Sequence, residues 1–225
     1  MARRLLPVSK LWKRHEVLYV EVFSIALTLL VEKDCPLDDE DKISERLCPH
    51  LQKVCFEKSN RNRYIPTPQW EGVIQPVNDD ELRGGKSKKR PDFTCLFHNS
   101  HTSNQEEFEI ALHIECKRLG MPTSKTWVLN KNYVTEGIKR FDSSSHEYGK
   151  RASSGLMIGY VINMELEQIV SEVNKFQKKE LPHNPTLLFQ FNSLPVFKET
   201  QMLKRKNVNP KSFQLIHLWA DLRNC

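Results

Sequence analysis

The sequence predicts an α/β fold, a mixed sheet flanked by helices, and two stretches carry that prediction. Residues 108–117 alternate: Phe108, Ile110, Leu112, Ile114 and Cys116 share one side, while Glu109, Ala111, His113, Glu115 and Lys117 share the other. A period of two marks a half-buried strand, one face in a core and one turned to something polar. Gly155 to Ile162 is a continuous apolar run, typical of a strand buried on both faces. Helical patterns stand on either side of these strands.

The alternating strand has a partner. Asp92 to Phe97 reads as a second strand, and the polar loop 98–107 between them is an exposed insertion in a hairpin. This placement brings Asp92 and Glu115 together where the strands meet, with Lys117 two residues further on the same face. His113 lies one pleat away, either as a ligand or proton-transfer group or as a hydrogen-bonded histidine beneath the site.

At 225 residues the chain is long enough for one domain with additions: an N-terminal helical extension over 1–37 and a main domain over 38–225. The 34 Lys and Arg against 28 Asp and Glu leave a net charge of +6, a balance that favours a polyanionic partner. None of the six cysteines forms a Cys-x-x-Cys pair, which argues against zinc. Cys95 and Cys116 fall in core strands, where cysteine acts as a small apolar residue. A reduced, cytoplasmic setting is expected, since no export signal is evident.

Basic residues Arg3, Arg4, Lys10, Lys13 and Arg14 precede the apolar stretch Val17 to Val31, the outline of a signal sequence or membrane span. That stretch is only fifteen residues long, contains Glu21, and is followed by Glu32, Lys33 and Asp34 rather than by a cleavage site. It predicts instead a buried helix from about Ser9 to Lys33, ended by Pro36. The helix packs on its own domain or docks another subunit; no membrane partner is expected.

Asp38 to Asp41 opens an acidic helix, continued by Ile43, Leu47, Leu51 and Val54 and kinked or restarted at Pro49. Trp70, Val73 and Ile74 mark a first strand. Gly84 and Gly85 lead into a basic loop, Lys86, Lys88, Lys89 and Arg90, placed either to hold a phosphate backbone or as a solvated turn. A helix from about Asn130 to Phe141 buries Val134, Ile138 and Phe141. It carries Arg140 toward the cleft, as a phosphate contact or an ordinary surface arginine. An amphipathic helix presents Leu166, Ile169, Val170, Val173 and Phe176, and Leu187 to Phe191 and Phe213 to Trp219 read as two further strands. Lys204, Arg205 and Lys206 form a second basic cluster between them. No Gly-rich phosphate loop and no Ser-His-Asp arrangement occurs.

Asp92, Glu115 and Lys117 suit a hydrolytic metal site. Mg²⁺ takes oxygen ligands, commonly one or two carboxylates with waters and phosphate oxygens, and acidifies a bound water beside the scissile phosphate. The backbone carbonyl of Cys116 is a possible further ligand. A lysine there orients or deprotonates the attacking water, or stabilises developing charge.

Pro91-Asp92 and Glu115-Cys116-Lys117, separated by the twenty-two residues 93–114, resemble the PD-(D/E)XK nuclease superfamily. The resemblance covers roughly residues 38–162. It implies a restriction-endonuclease-like core (αβββαβ, a mixed sheet flanked by helices) with an extra N-terminal helix and C-terminal additions. It also implies a Mg²⁺-dependent endonuclease, with Mn²⁺ as a possible substitute, acting on DNA, while the sequence itself leaves RNA open. The catalytic set would be Asp92, Glu115 and Lys117. The metal would take Asp92, Glu115, the Cys116 carbonyl and an acid from the preceding helix, Glu40 in preference to Glu45. Glu40 is equally explained as a charge at a helix N-terminus. The run from Tyr133 to Phe141, with Tyr148-Gly149 and Gly155 to Val161, looks like nuclease-like proteins of bacterial antiphage defence loci. That narrower likeness implies an antiviral effector held in a complex with other subunits. A catalytically silent nucleic-acid-binding or assembly subunit is the alternative, and a structural partner docking through the N-terminal helix is a third.

Overall fold

The computed structural model describes residues 8–34, 39–74, 89–100 and 102–223. Six strands lie in one mixed sheet in the order β1-β2-β3-β4-β6-β5. They are β1 Gln69–Trp70, β2 Phe93–His98, β3 Glu109–Leu119, β4 Ser154–Val161, β5 Val196–Lys204 and β6 Ser212–Asp221. The hairpin of β2 and β3 is antiparallel, as the sequence predicts, β4 runs parallel to both β3 and β6, and β5 pairs antiparallel with β6. Helices cover both faces, so the α/β class holds.

Helix α1 (Val8–Lys33) and helix α2 (Glu40–Lys58) lie on one face. Their apolar stripes, including Tyr19, Phe23, Leu27, Leu47 and Leu51, share a core with Leu112, Ile114, Cys116, Leu156 and Ile158 of the sheet. Full burial of a side chain such as Leu27 contributes about 1.5–3 kcal/mol. Two polar ties fix α1 in place: Trp12 Nε1 donates to Ser154 Oγ at 2.9 Å and Tyr19 Oη to the Pro66 carbonyl at 2.7 Å. Packing on its own domain thus accounts for the apolar stripe of α1. Among the described residues no helix is long and apolar enough to cross a membrane.

Helix α3 (Leu129–Thr135), a 3-10 turn over Ile138–Asp142 and helix α4 (Leu166–Glu180) cover the other face, packing on Met157, Val161, Leu215 and Trp219. The predicted single helix from Asn130 to Phe141 is therefore two pieces. Gly137 divides them, where a Cβ would stand 2.4 Å from the Tyr133 carbonyl oxygen. The predicted buried residues Val134, Ile138 and Phe141 are all in the core.

Other expectations need correction. β3 is buried on both faces over His113 to Lys117, because the 3-10 turn and the loop after it cover the side expected to face solvent. Phe108, expected in the core, caps the 3-10 turn Gln105–Glu107 and is exposed. The first strand stops at Trp70, since Glu71 adopts a left-handed φ of 48° and leaves the ladder before Val73 and Ile74. Helix α2 runs through Pro49 without a break: the proline is exposed, so the carbonyl it leaves unpaired faces water.

Leu187 to Phe191 is not a strand. The Leu187 amide and carbonyl are taken by the Asn174 side chain of α4, and Phe189 packs on Trp219 with ring centroids 4.1 Å apart. The strand lies later, in β5, and Phe213 to Trp219 forms the body of β6. Asp38, Pro36, Gly84, Gly85, Lys86 and Lys88 lie outside the described residues.

Gly159 of β4 pairs with Lys117 on one side and Trp219 on the other. A Cβ there would come within 2.5 Å of Leu119 Cδ1 and 2.6 Å of Trp219 Cδ1. Gly159→Ala is expected to destabilise the fold by about 1–3 kcal/mol. Urea unfolding monitored by Trp fluorescence measures this, and an unchanged midpoint would show that β3 and β6 are not closed on β4 as described.

Candidate active site

β3 is longer than its partner. The last β2–β3 pair is Phe93 with Ile114, so Glu115 to Leu119 continue with β4 on one edge and, among the described residues, no strand on the other. In a strand the N–H and C=O of one residue point to the same edge, and residues two apart repeat that direction. The Cys116 amide, the Cys116 carbonyl and the Arg118 amide therefore face the open edge. Each is satisfied by a side chain. Asp92 Oδ2 accepts from the Cys116 amide at 2.5 Å, Glu40 Oε2 accepts from the Arg118 amide at 3.0 Å, and Lys117 Nζ donates to the Cys116 carbonyl at 2.6 Å.

The same side chains converge on one ammonium. Lys117 Nζ lies 2.7 Å from Glu40 Oε1, 2.9 Å from Glu115 Oε1 and 4.0 Å from Asp92 Oδ2. Asp92, Glu115, Lys117, Glu40 and the Cys116 carbonyl, the set named from the sequence, thus lie in a single cluster. Glu40 reaches it because it opens α2, where Asp39 supplies the N-cap by accepting from the Lys42 amide. Its carboxylate bonds to β3 while still standing in the first turn of α2. Glu45 is exposed on the next turn and does not join.

Electrostatics follow from burial. Glu115 is completely buried, and desolvation, then the neighbouring Asp92 charge, pushes its carboxyl up to about 8. Desolvation likewise raises Asp92 to about 6, against the pull of Lys117. Burial works to lower Lys117, but Glu115, Glu40 and Asp92 outweigh it and hold the ammonium charged. Arg140, on the 3-10 turn, is neither a free phosphate contact nor an ordinary surface arginine here: its Nη1 pairs with Glu115 Oε1. Among the described residues Glu115 Oε2 is buried without a hydrogen-bond partner.

Among the described residues no group of three or more His, Cys, Asp or Glu side chains is already gathered for a metal. Lys117 Nζ occupies the point on which the three carboxylates converge. The donors nonetheless suit a hard divalent cation: the buried Glu115 carboxylate, the half-buried Asp92 carboxylate, a sideways carbonyl, and a Glu115 oxygen without a hydrogen-bond partner among the described residues.

His113 is the hydrogen-bonded histidine beneath the site. Its Nδ1 accepts from the Gly149 amide at 2.9 Å, and its ring lies 5.5 Å from that of Tyr148. Of the basic loop, Lys89 is half-buried and Arg90 exposed.

Arg205, the middle residue of the second basic cluster, is buried. It donates to the carbonyls of Phe141 and Tyr148, both at 3.1 Å, and of Gly149 at 3.3 Å, and lies 3.9 Å over the Phe213 ring. It therefore holds the turn bearing Arg140 and the loop capping His113. The available signal was its spacing: it follows Leu203 by two, on the buried side of β5.

Burial keeps His113 neutral in the fold, with its pKa lowered from 6.5 to about 4. The unfolded chain binds that proton first, so this stability is present above pH 6.5 and is lost as pH falls toward 4. Thermal melts of wild type should fall across that window. His113→Gln, which keeps an acceptor for Gly149, should flatten the fall; an identical pH dependence would place the titration elsewhere.

No protein-family model matches the chain, and neither characterised proteins nor solved structures give a significant match to it.

Proposed function

We propose that the protein is a metal-dependent nuclease that hydrolyses phosphodiester bonds of DNA, with a restriction-endonuclease-like core. One observation carries this: Asp92, Glu115, the Cys116 carbonyl and Lys117 converge at an open strand edge, joined by Glu40 from a different element. Stability alone gives a fold little reason to gather three carboxylates, Glu115 fully buried and Asp92 and Glu40 half-buried, around Lys117 and Arg140, since desolvation offsets much of the gain.

Asp92, Glu115 and the Cys116 carbonyl would hold Mg²⁺, or Mn²⁺ in its place. When bound, the ion supplies a nucleophilic water at neutral pH and neutralises charge on the phosphate. The chain's own groups do the rest. Asp92 is fixed by the Cys116 amide, so its second oxygen has a set direction. Lys117, charged and donating, orients the water and stabilises the developing phosphorane charge rather than taking a proton. Glu40 fixes the ammonium by accepting from it.

A silent nucleic-acid-binding or assembly subunit has one observation in its favour: Arg140 and Lys117 both occupy Glu115 Oε1. DNA over RNA, a role in antiviral defence and docking to other subunits rest on the sequence resemblance alone.

Supercoiled plasmid separates the two. With Mg²⁺ or Mn²⁺ and not with chelator, wild type should nick or linearise it. Lys117→Ala, Asp92→Asn and Glu115→Gln should each lower the rate by about 10²–10³-fold, the scale for losing one preorganised group. Glu40→Gln should slow it and Glu45→Gln should not. Lack of cleavage under every condition, with DNA still bound, would establish the silent subunit.

A further inference from the structure

On the α1–α2 side of the sheet, the exposed stripe of α1 and the turn after α2 border an open groove of about 840 Å³. It is lined by Lys10, Lys13, Arg14, Val17 and Leu18 of α1 and by Arg63 of the turn. The turn is firmly built. Asn60 and Arg63 exchange two main-chain hydrogen bonds, at 2.9 and 3.1 Å, and the Ile65 amide donates to Ser59 Oγ at 3.0 Å. The Pro66 carbonyl beyond it is held by Tyr19.

Charge in this groove does not cancel. Its lining includes one acid, Glu21, which pairs with Lys58 at 2.7 Å, and Lys13 pairs with the buried Glu16. The next charges on α2, Lys53 and Glu57, pair with each other at 2.8 Å. Each of these acids therefore has its own cation. Lys10, Arg14 and Arg63 are exposed and have no carboxylate partner among the described residues, and Arg61, exposed on the same turn, adds to them.

An exposed run leads from the groove to the carboxylate cluster. Residues 59–70 contain no acid, and after Arg63 the chain passes through Tyr64, 80% exposed, to Trp70 of β1, 40% exposed. The next amide, that of Glu71, donates to the Asp92 carbonyl at 2.9 Å. The Cα atoms of Arg63 and Glu71 are at most about 29 Å apart, the reach of the chain between them.

We infer that the groove and this run form a docking track for a single strand of DNA, which enters past Lys10, Arg14 and Arg63 and leads to the carboxylates. The identity of the strand rests on the nuclease proposal, while the charge and the exposed rings stand on the chain itself. A duplex offers phosphates but keeps its bases stacked inside; exposed rings beside guanidinium groups take bases that are free to stack. An anionic membrane asks for a contiguous apolar face, whereas Tyr64 and Trp70 are separated by the exposed Pro66, Thr67 and Gln69. An acidic peptide would meet the charge and leave both rings unused.

Anisotropy of a fluorescein-labelled oligodeoxythymidylate, bound by the full chain in EDTA, tests the track. Lys10→Gln/Arg14→Gln/Arg63→Gln should bind about tenfold more weakly, and its salt slope should fall by about 2, three contacts at about 0.7 each. Tyr64→Ala and Trp70→Ala should each weaken binding about fivefold or more with the slope unchanged, as loss of a stacked base requires. Lys175→Gln/Lys178→Gln/Lys179→Gln removes as many exposed cations from α4, on the other face of the sheet, and should bind as wild type. Circular dichroism checks each fold. The inference is overturned if the α4 variant is weakened as much as the groove variant, if neither ring matters, or if wild type does not bind. It is equally overturned if wild type prefers a duplex or an RNA of the same sequence, or if the groove charges are needed for phosphatidylserine vesicles and not for the oligonucleotide. Because EDTA removes turnover, the two ideas fail separately. Groove-dependent binding without metal-dependent cleavage sinks the nuclease alone, and Lys117-dependent cleavage with groove-independent binding sinks the track alone.

Discussion

The site depends on a mismatch in strand length. β3 runs five residues beyond its last pair with β2, from Glu115 to Leu119, while β4 supports it along the other edge. Unpaired main-chain groups in a buried setting must find partners. Here the partners are carboxylates and an ammonium, so satisfying the backbone and assembling the charged cluster are one event. If β2 continued, the Cys116 and Arg118 amides would be consumed by a ladder, and Asp92 and Glu40 would lose their main-chain partners on β3.

That arrangement needs a lid, because a half-covered strand would leave Glu115 hydrated and its neighbours screened. The 3-10 turn after Gly137 and the loop at Tyr148–Gly149 supply it, both held by the buried guanidinium of Arg205. Breaking one partner of a buried ion pair is far more damaging than replacing the pair with apolar groups. Glu115 shows both sides of this rule: one oxygen shared by Lys117 and Arg140, the other with no partner among the described residues. A cluster tuned for stability would satisfy both oxygens.

Much of this was legible in the chain itself. The alternation from Ile110 to Cys116 fixed which residues of β3 face α1 and α2, and Pro91-Asp92 with Glu115 and Lys117 located the hairpin end. Glu40 was distinguishable from Glu45 by its place at the first turn of α2. Burial of the other face was not legible, since it comes from a turn that Gly137 separates from α3 and from Arg205, 90 positions beyond Glu115. Leu187 to Phe191 misled because an apolar run signals burial without saying whether the backbone is paired; its main chain is tied to Asn174 instead. β5 was missed for the opposite reason: Lys198, Glu199 and Lys204 make an edge strand look like a loop, while Phe197, Gln201 and Leu203 lie on its buried side.

The charge count gives Arg140 a direction of movement. In the fully ionised form that metal ligation requires, three carboxylates face two cations, Lys117 and Arg140. Adding a divalent cation to the proposed ligands while both stay would turn a net deficit of one positive charge into an excess of one, in a buried place where such an excess is costly. A substrate phosphate would restore balance, and Arg140 is the cation placed to follow it, being partly exposed, whereas Lys117 is held by Glu40 and the Cys116 carbonyl. Substrate and metal would then favour each other's binding, as linkage requires when each relieves the charge the other introduces. Under the proposed nuclease reading, the Arg140–Glu115 pair would be a resting state, and its occupation of Glu115 is compatible with turnover rather than evidence against it.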